Sequence, residues 1–203
     1  MLKLWQRGDT LIEVLFAVTI FSAVAVGGLG IMNRGTLSAQ RSLEVTLVRQ
    51  QIDAQADALR LIHDSYVAVY PTPVSGQISG EWTRIVATSV AQASTFGTCT
   101  PPGSAFVINT KTARLETRAK IAATTSTYSQ LRFAPTVPAT VPETTTTVLN
   151  QAEGIWVEAV RSDIIAGQAS GTIDFHIRAC WSSPGQNTPI TLGTIVRLYE
   201  PRT

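Results

Sequence analysis

The fold of this chain is decided near its start, where residues 9–33 read DTLIEVLFAVTIFSAVAVGGLGIMN. Residues 14–33 carry no charge, and Glu13 is the only charged residue between positions 11 and 32. About 20 apolar residues in a helix are enough to cross the hydrocarbon core of a bilayer. The stretch therefore predicts a membrane-spanning helix.

The short segment before this stretch, MLKLWQRG, indicates its orientation. It carries Lys3 and Arg7, and positive charge ahead of a span places the N-terminus in the cytoplasm and the rest of the chain outside. No small-residue cleavage site of the secretory kind closes the apolar run. We therefore expect the span to be retained, as it would be in a plain signal anchor.

The junction at residues 7–21, RGDTLIEVLFAVTIF, resembles the leader of type IV prepilins. In that family a basic leader ends in Gly, a peptidase cuts after the Gly, and Thr-Leu-Ile/Val-Glu opens a long helix. Gly8 and the run from Thr10 to Glu13 fall on this pattern, while Asp9 stands where the family usually has Phe. The resemblance extends over the leader and most of the apolar run, and it indicates the superfamily of pilins and pseudopilins. It implies cleavage between Gly8 and Asp9, and N-methylation of Asp9.

Glu13 is the residue of the span whose chemistry most needs an explanation. A carboxylate costs about 2.5–3.5 kcal/mol at the centre of a membrane helix and less near an end, and such residues usually have a partner. Glu13 could reach water at the cytoplasmic interface. Alternatively, it pairs with the free amine of Asp9 on a neighbouring subunit and sets the axial register of a filament.

Three glycines, Gly27, Gly28 and Gly30, lie close together in the span. Each costs about 1 kcal/mol relative to Ala inside a helix, so together they predict a weak point. Small residues also let membrane helices approach one another closely. Pilins often have Pro at the position of Gly30, in a stretch that unwinds in filaments, and both interpretations stay open.

Beyond the span, residues 34–70 are predicted to continue the helix with one apolar face. The face is formed by residues at helical spacing, namely Val45, Val48, Ile52, Leu59, Ile62 and Tyr66. Pro71 and Pro73 end the helix, which we expect to run from Thr10 to about Tyr66. The weak step at Gln55 and Ala56, together with the short length of the apolar face, favours packing on the following domain over a coiled coil.

Residues 71–203 are predicted to form a β-rich domain outside the membrane. Alternating polarity between Gly and Pro residues indicates strands over residues 81–90, 105–109, 129–133, 155–161, 172–181 and 190–199. Three prolines and a Thr run make residues 134–148 an exposed loop. The expected fold class is therefore α+β, with a long N-terminal α-helix packed on one face of a C-terminal antiparallel β-sheet.

Cys99 and Cys180 both fall in this outer domain, where an oxidising compartment favours a disulfide between them over two free thiols. The sequence has no recognisable catalytic motif, and we expect His63 and His176 to be structural. An enzyme is not expected, nor a cofactor or a metal site. A net charge of +2 argues against a nucleic-acid binder, so we expect nucleic acid only as the cargo of a DNA-uptake system.

The resemblance then implies a function. We expect a minor type IV pilin-like structural subunit, with an alternative as pseudopilin of a type II secretion or DNA-uptake system. Its partners would be the membrane, a prepilin peptidase, other pilin or pseudopilin subunits and the inner-membrane assembly platform. It would be a single-pass membrane protein that ends in a cell-surface or periplasmic filament. A signal-anchored surface binding module that never assembles is the alternative from another class.

Overall fold

The computed structural model describes residues 9–95, 99, 101–117, 154–162, 171–181, 183 and 186–201. The chain divides into two compact units, Met1–Leu43 and Glu44–Thr203. Helix α1, Asp9–Val69, contributes to both. Each unit is described by itself below.

The described residues of the second unit form one further helix and a five-stranded sheet. These elements are α2 (Ile78–Ala87), β1 (Phe106–Asn109), β2 (Arg114–Thr117), β3 (Ile155–Ser162), β4 (Thr172–Trp181) and β5 (Ile190–Tyr199). The strand order is β2-β1-β3-β4-β5, and every neighbouring pair is antiparallel. The predicted α+β class with an antiparallel sheet is confirmed.

The core of this unit lies between one face of α1 and one face of the sheet. Val48, Leu59 and Ile62 are completely buried, and Ile52 is nearly so. They share a cluster with inward-facing side chains of every strand, among them Phe106, Leu115, Val157, Phe175, Trp181 and Val196. The predicted apolar face of the helix is thus confirmed, with Val45 and Tyr66 packed at its margins.

Gln55, the polar residue within that apolar face, completes the hydrogen bonding of β1. Its amide nitrogen donates to the Ile108 carbonyl at 2.7 Å, and its amide oxygen accepts from the Ile108 N–H at 2.8 Å. The register between β1 and β3 contains the single pair Phe106–Val157, so Ile108 has no strand partner on that side among the described residues. The completely buried side chain of Gln55 therefore takes the place of a strand.

The prediction of a strand over residues 81–90 is wrong, because this region forms α2. Trp82 and Ile85 are three residues apart and both lie in the core, as the helical period requires. Glu81 and Arg84 form an ion pair of 2.6 Å with the same spacing. The short run of apolar and polar residues fits both the helical period of about 3.6 residues and the strand period of two. The packing of Trp82 in the core favours the helix.

The other predicted strands agree with the structure where it describes them. Strands β1, β3, β4 and β5 lie within a residue of their expected bounds. Strand β2 is an addition, and it follows a turn in which the Lys111 N–H donates to the side chain of Asn109. The expected strand at residues 129–133 and the loop at 134–148 lie outside the described residues.

Replacing Gln55 tests whether a side chain supports β1. Gln55→Leu leaves the buried N–H and carbonyl of Ile108 unpaired, and each such group costs about 1–3 kcal/mol. We expect the free energy of unfolding to fall by about 2–4 kcal/mol. Urea unfolding of the full chain in detergent micelles, followed by tryptophan fluorescence, measures this. The control is Gln50→Leu, at an exposed position of the same helix, and equal losses in both variants would contradict the assignment.

Candidate functional site

The first unit presents an exposed apolar helix surface. Every described side chain from residue 11 to residue 43 is exposed. The large apolar side chains between Leu11 and Met32 are 56–75% exposed. Monomeric soluble proteins seldom expose an apolar patch larger than a few hundred Å². This half of α1 therefore needs an apolar environment supplied from outside the chain.

The same helix is the candidate membrane span found among the described residues, and none of its most apolar window is buried within the chain. Thr19 and Ser22 are hydroxyl-bearing residues within the run. Thr19 Oγ1 donates to the Phe16 carbonyl at 2.8 Å, and Ser22 Oγ donates to the Val18 carbonyl at 2.7 Å. Because both hydroxyls are satisfied inside the helix, they can enter a hydrocarbon layer without an unpaired donor.

Glu13 lies in the second turn of α1 and is exposed. No ion-pair partner for it is found within the part of the chain that the structure describes. Asp9 is the first residue of α1, while Gly8 lies outside the described residues. The carboxylate is therefore available to a group from outside the described chain.

Gly27, Gly28 and Gly30 lie in the uninterrupted helix α1. A Cβ atom built at any of the three would meet no atom within 4 Å, apart from the adjoining turns of the helix itself. Nothing in the described chain thus requires these positions to lack a side chain. The predicted weak point stays a prediction.

Cys99 and Cys180 form a disulfide, as predicted, with their Cα atoms 5.6 Å apart. The bond joins β4 to the segment that leads from α2 to β1. Cys180 packs with Trp156 and Ala105 on the sheet face opposite α1. Because the bridge spans 81 residues, the chain-entropy estimate of its stabilisation is about 4–5 kcal/mol as an upper figure.

A buried ionic cluster holds the same segment against the sheet. Glu158 accepts hydrogen bonds from the N–H and the hydroxyl of Ser94, at 3.1 and 2.8 Å. Arg178 Nη1 donates to the Ser94 carbonyl at 2.9 Å and lies 3.6 Å from Glu158 Oε2. Glu158 is 2% exposed and Arg178 is 6% exposed. Removing either partner would strand a buried charge, which typically costs about 3–5 kcal/mol in this situation.

Three acidic or basic side chains of the sheet, Asp174, His176 and Glu116, have shifted pKa values. Arg197 donates two hydrogen bonds to Asp174, at 2.6 and 2.7 Å, and these bonds lower the pKa of the Asp174 carboxyl. Burial, followed by the charge of Arg178, lowers the pKa of His176. Burial raises the pKa of Glu116, whose Oε2 has no hydrogen-bond partner among the described residues.

The two histidines lie in different environments and do not meet. His63 Nε2 is 2.9 Å from the Tyr199 carbonyl, and its ring packs edge-on against Trp82 with centroids 4.9 Å apart. His176 lies on β4, on the face of the sheet that points away from α1. Among the described residues, no group of three or more His, Cys, Asp or Glu side chains could hold a metal ion.

Several residues that shape the molecule were not singled out as sites from the sequence. Glu44, the first residue of the second unit, accepts a hydrogen bond from the buried Trp181 indole at 3.1 Å. Glu158 and Arg178 form the ionic cluster beneath the disulfide-linked segment. Glu158 lies among apolar residues in IWVEAV, a pattern that indicates a polar residue within a buried strand. Its partners, Ser94 and Arg178, are distant in sequence, so the pattern does not identify them.

No protein-family model, curated protein or solved structure matches this chain.

Proposed function

We propose that this chain is a minor type IV pilin-like subunit that is inserted in the membrane, cleaved after Gly8 by a prepilin peptidase, and assembled into a pilus through α1. The observation that carries the proposal is the uncovered apolar half of α1 with Glu13 near its start. A helix that must first lie in lipid and then in a filament core needs such a surface, because both environments supply apolar contacts.

Glu13 adds a geometric constraint to this surface. A carboxylate among apolar neighbours favours a positively charged partner. The amine that cleavage after Gly8 would create at Asp9 lies one helical turn before Glu13, so the two groups of different copies meet when the copies are shifted along the helix axis. Pairing of this kind specifies register more than it stabilises.

The features of the second unit support its proposed position outside the cytoplasm. It has its own core and a buried ionic cluster, and its disulfide suits a domain outside the cytoplasm. We place the N-terminus in the cytoplasm before processing and this unit on the outer side. The proposed partners are the prepilin peptidase, other pilin subunits and the inner-membrane assembly platform.

A pseudopilin of a type II secretion or DNA-uptake system is the second candidate, since the same N-terminal residues would serve it. A signal-anchored binding module is the third, and it explains the membrane helix but gives Glu13 no partner.

The position of the mature N-terminus distinguishes a pilin or pseudopilin from a signal-anchored binding module. We expect the protein isolated from cells that contain the peptidase to begin at Asp9, because the Gly8–Asp9 junction follows the prepilin pattern. Mass spectrometry of the intact protein and of its N-terminal peptide reads this directly. A Gly8→Val variant should keep its leader, and a wild-type protein that retains Met1 or Leu2 would contradict the proposal.

The Glu13→Ala variant tests the role of the carboxylate. We expect it to insert into the membrane normally, because an apolar side chain replaces a charge in the span, and to fall at least tenfold in sheared filaments through loss of the register contact, equivalent to about 1.4 kcal/mol. Quantitative immunoblots of the membrane and filament fractions measure both.

Ser22→Ala is the matched control, since the Ser22 hydroxyl is satisfied inside the helix. It should assemble like the wild type. Assembly of Glu13→Ala at the wild-type level would refute the role of Glu13.

A further inference from the structure

A pocket of the second unit lies where the end of α1, the start of α2 and the turn between β1 and β2 come together. The residues that line it include Ser65, Val69, Ile78, Ser79, Thr112 and Arg114. Its volume is about 470 Å³, and pockets that bind small molecules typically measure about 300–1,000 Å³. All of these residues belong to the second unit, so the pocket has no part in the proposed assembly through the first half of α1.

Ser79 is a buried polar residue of this pocket that lacks a partner. It is 5% exposed, and its hydroxyl makes no hydrogen bond to any residue that the structure describes. Buried polar side chains in native proteins nearly always have a hydrogen-bond partner. Because Ser79 lines the pocket, its hydroxyl is available to a bound ligand.

The first turn of α2 offers further donors beside this hydroxyl. Gln77 occupies the N-cap position without making a side-chain hydrogen bond to the helix. The Gly80 N–H donates to the Gln77 carbonyl at 3.1 Å, whereas the N–H groups of Ile78 and Ser79 have no acceptor within the described part of the chain. Free N–H groups and the helix dipole together favour a negatively charged ligand at such a helix start.

Arg114 supplies the positive charge of the pocket. Its Nη2 donates to the Gly76 carbonyl at 3.2 Å, which ties the guanidinium to the loop before α2. No ion pair joins Arg114 to another described residue. Of the two nearby acidic residues, Glu81 pairs with Arg84 at 2.6 Å and Glu116 is 7% exposed, and neither lines the pocket. The remaining guanidinium N–H groups can therefore bind an anion.

The loop between α1 and α2 holds this side of the pocket in place. The Gln77 N–H donates to the Val74 carbonyl at 3.2 Å. A Cβ atom at Gly80 would lie 2.5 Å from the Val74 carbonyl oxygen, so the loop packs on the first turn of α2 more closely than any other residue would allow. The donors at the start of α2 are therefore positioned by the fold itself.

We propose that this pocket binds the carboxylate of a small ligand that also carries an apolar group. The carboxylate accepts hydrogen bonds from Arg114, from the Ser79 hydroxyl and from the free N–H groups at the start of α2. The apolar group lies along Val69 and Ile78, which are 40% and 38% exposed. One guanidinium matches the single charge of a carboxylate better than the charge of about −1.5 to −2 that a phosphate group carries. A free acid and the C-terminus of a peptide both present this group.

Isothermal titration calorimetry of the full chain in detergent micelles tests the site with N-acetyl-leucine. We expect saturable binding, and binding of N-acetyl-leucinamide about tenfold weaker, because the amide lacks the charge that Arg114 recognises. The tripeptide Ala-Ala-Leu distinguishes the two sources of the carboxylate. Its binding would extend the site to peptide C-termini, and its failure to bind beside a positive result for N-acetyl-leucine would assign the site to free acids.

Variants of the pocket separate ligand binding from a structural role. We expect Arg114→Gln and Ser79→Ala each to lower the affinity for N-acetyl-leucine about tenfold. Ser79→Ala should leave the urea unfolding of the ligand-free protein unchanged, because the hydroxyl has no partner to lose. Lys111→Gln is the matched control, since it removes the same charge from an exposed position of the same turn that does not line the pocket.

Several results would overturn the site. They are absence of binding to N-acetyl-leucine, equal affinity for the acid and the amide, tighter binding of inorganic phosphate, unchanged affinity in both pocket variants, and an equal loss in Lys111→Gln. None of these results bears on cleavage after Gly8, so failure of the site leaves the proposed function standing.

Discussion

The rest of the molecule depends on one constraint, which is that the apolar side chains along α1 must be kept out of water. Residues 44–69 bury one face against the sheet, whereas the described side chains of residues 11–43 bury nothing within the chain. The two halves of this helix require different environments. The second half behaves as part of a globular unit, and the first half demands lipid or other helices. The proposed membrane insertion followed by assembly would meet that demand at both stages.

The second unit holds its half of the helix by polar bonds as well as by apolar packing. Glu44 binds the Trp181 indole at the first residue of the unit, and Gln55 takes the place of a strand beside β1. His63 reaches the Tyr199 carbonyl at the end of β5. These bonds favour one rotation of the helix on the sheet, because a rotated helix would leave the buried Gln55 amide and the buried Trp181 indole without their partners.

Much of this architecture could be predicted from the sequence because its signals are local and long. The apolar run, the helical spacing from Val48 to Ile62 and the alternation in β3, β4 and β5 each repeat several times. The segment that forms α2 is too short to distinguish the helical period of about 3.6 residues from the strand period of two. Strand β2 is shorter still. The partners of Gln55, Glu158 and Arg178 come from distant parts of the chain, so a local pattern could not identify them. Glu13 was found through its motif, and its proposed partner lies on another copy.

The most direct measurement of the central claim is the accessibility of single cysteines along α1 in intact cells, measured with a membrane-impermeant maleimide. If the first half of the helix is covered by lipid or by other subunits, Phe16→Cys and Val24→Cys will stay unlabelled. Lys111→Cys will be labelled, because this exposed position is outside the membrane in this account. Labelling of Phe16→Cys and Val24→Cys as rapidly as Lys111→Cys would contradict it.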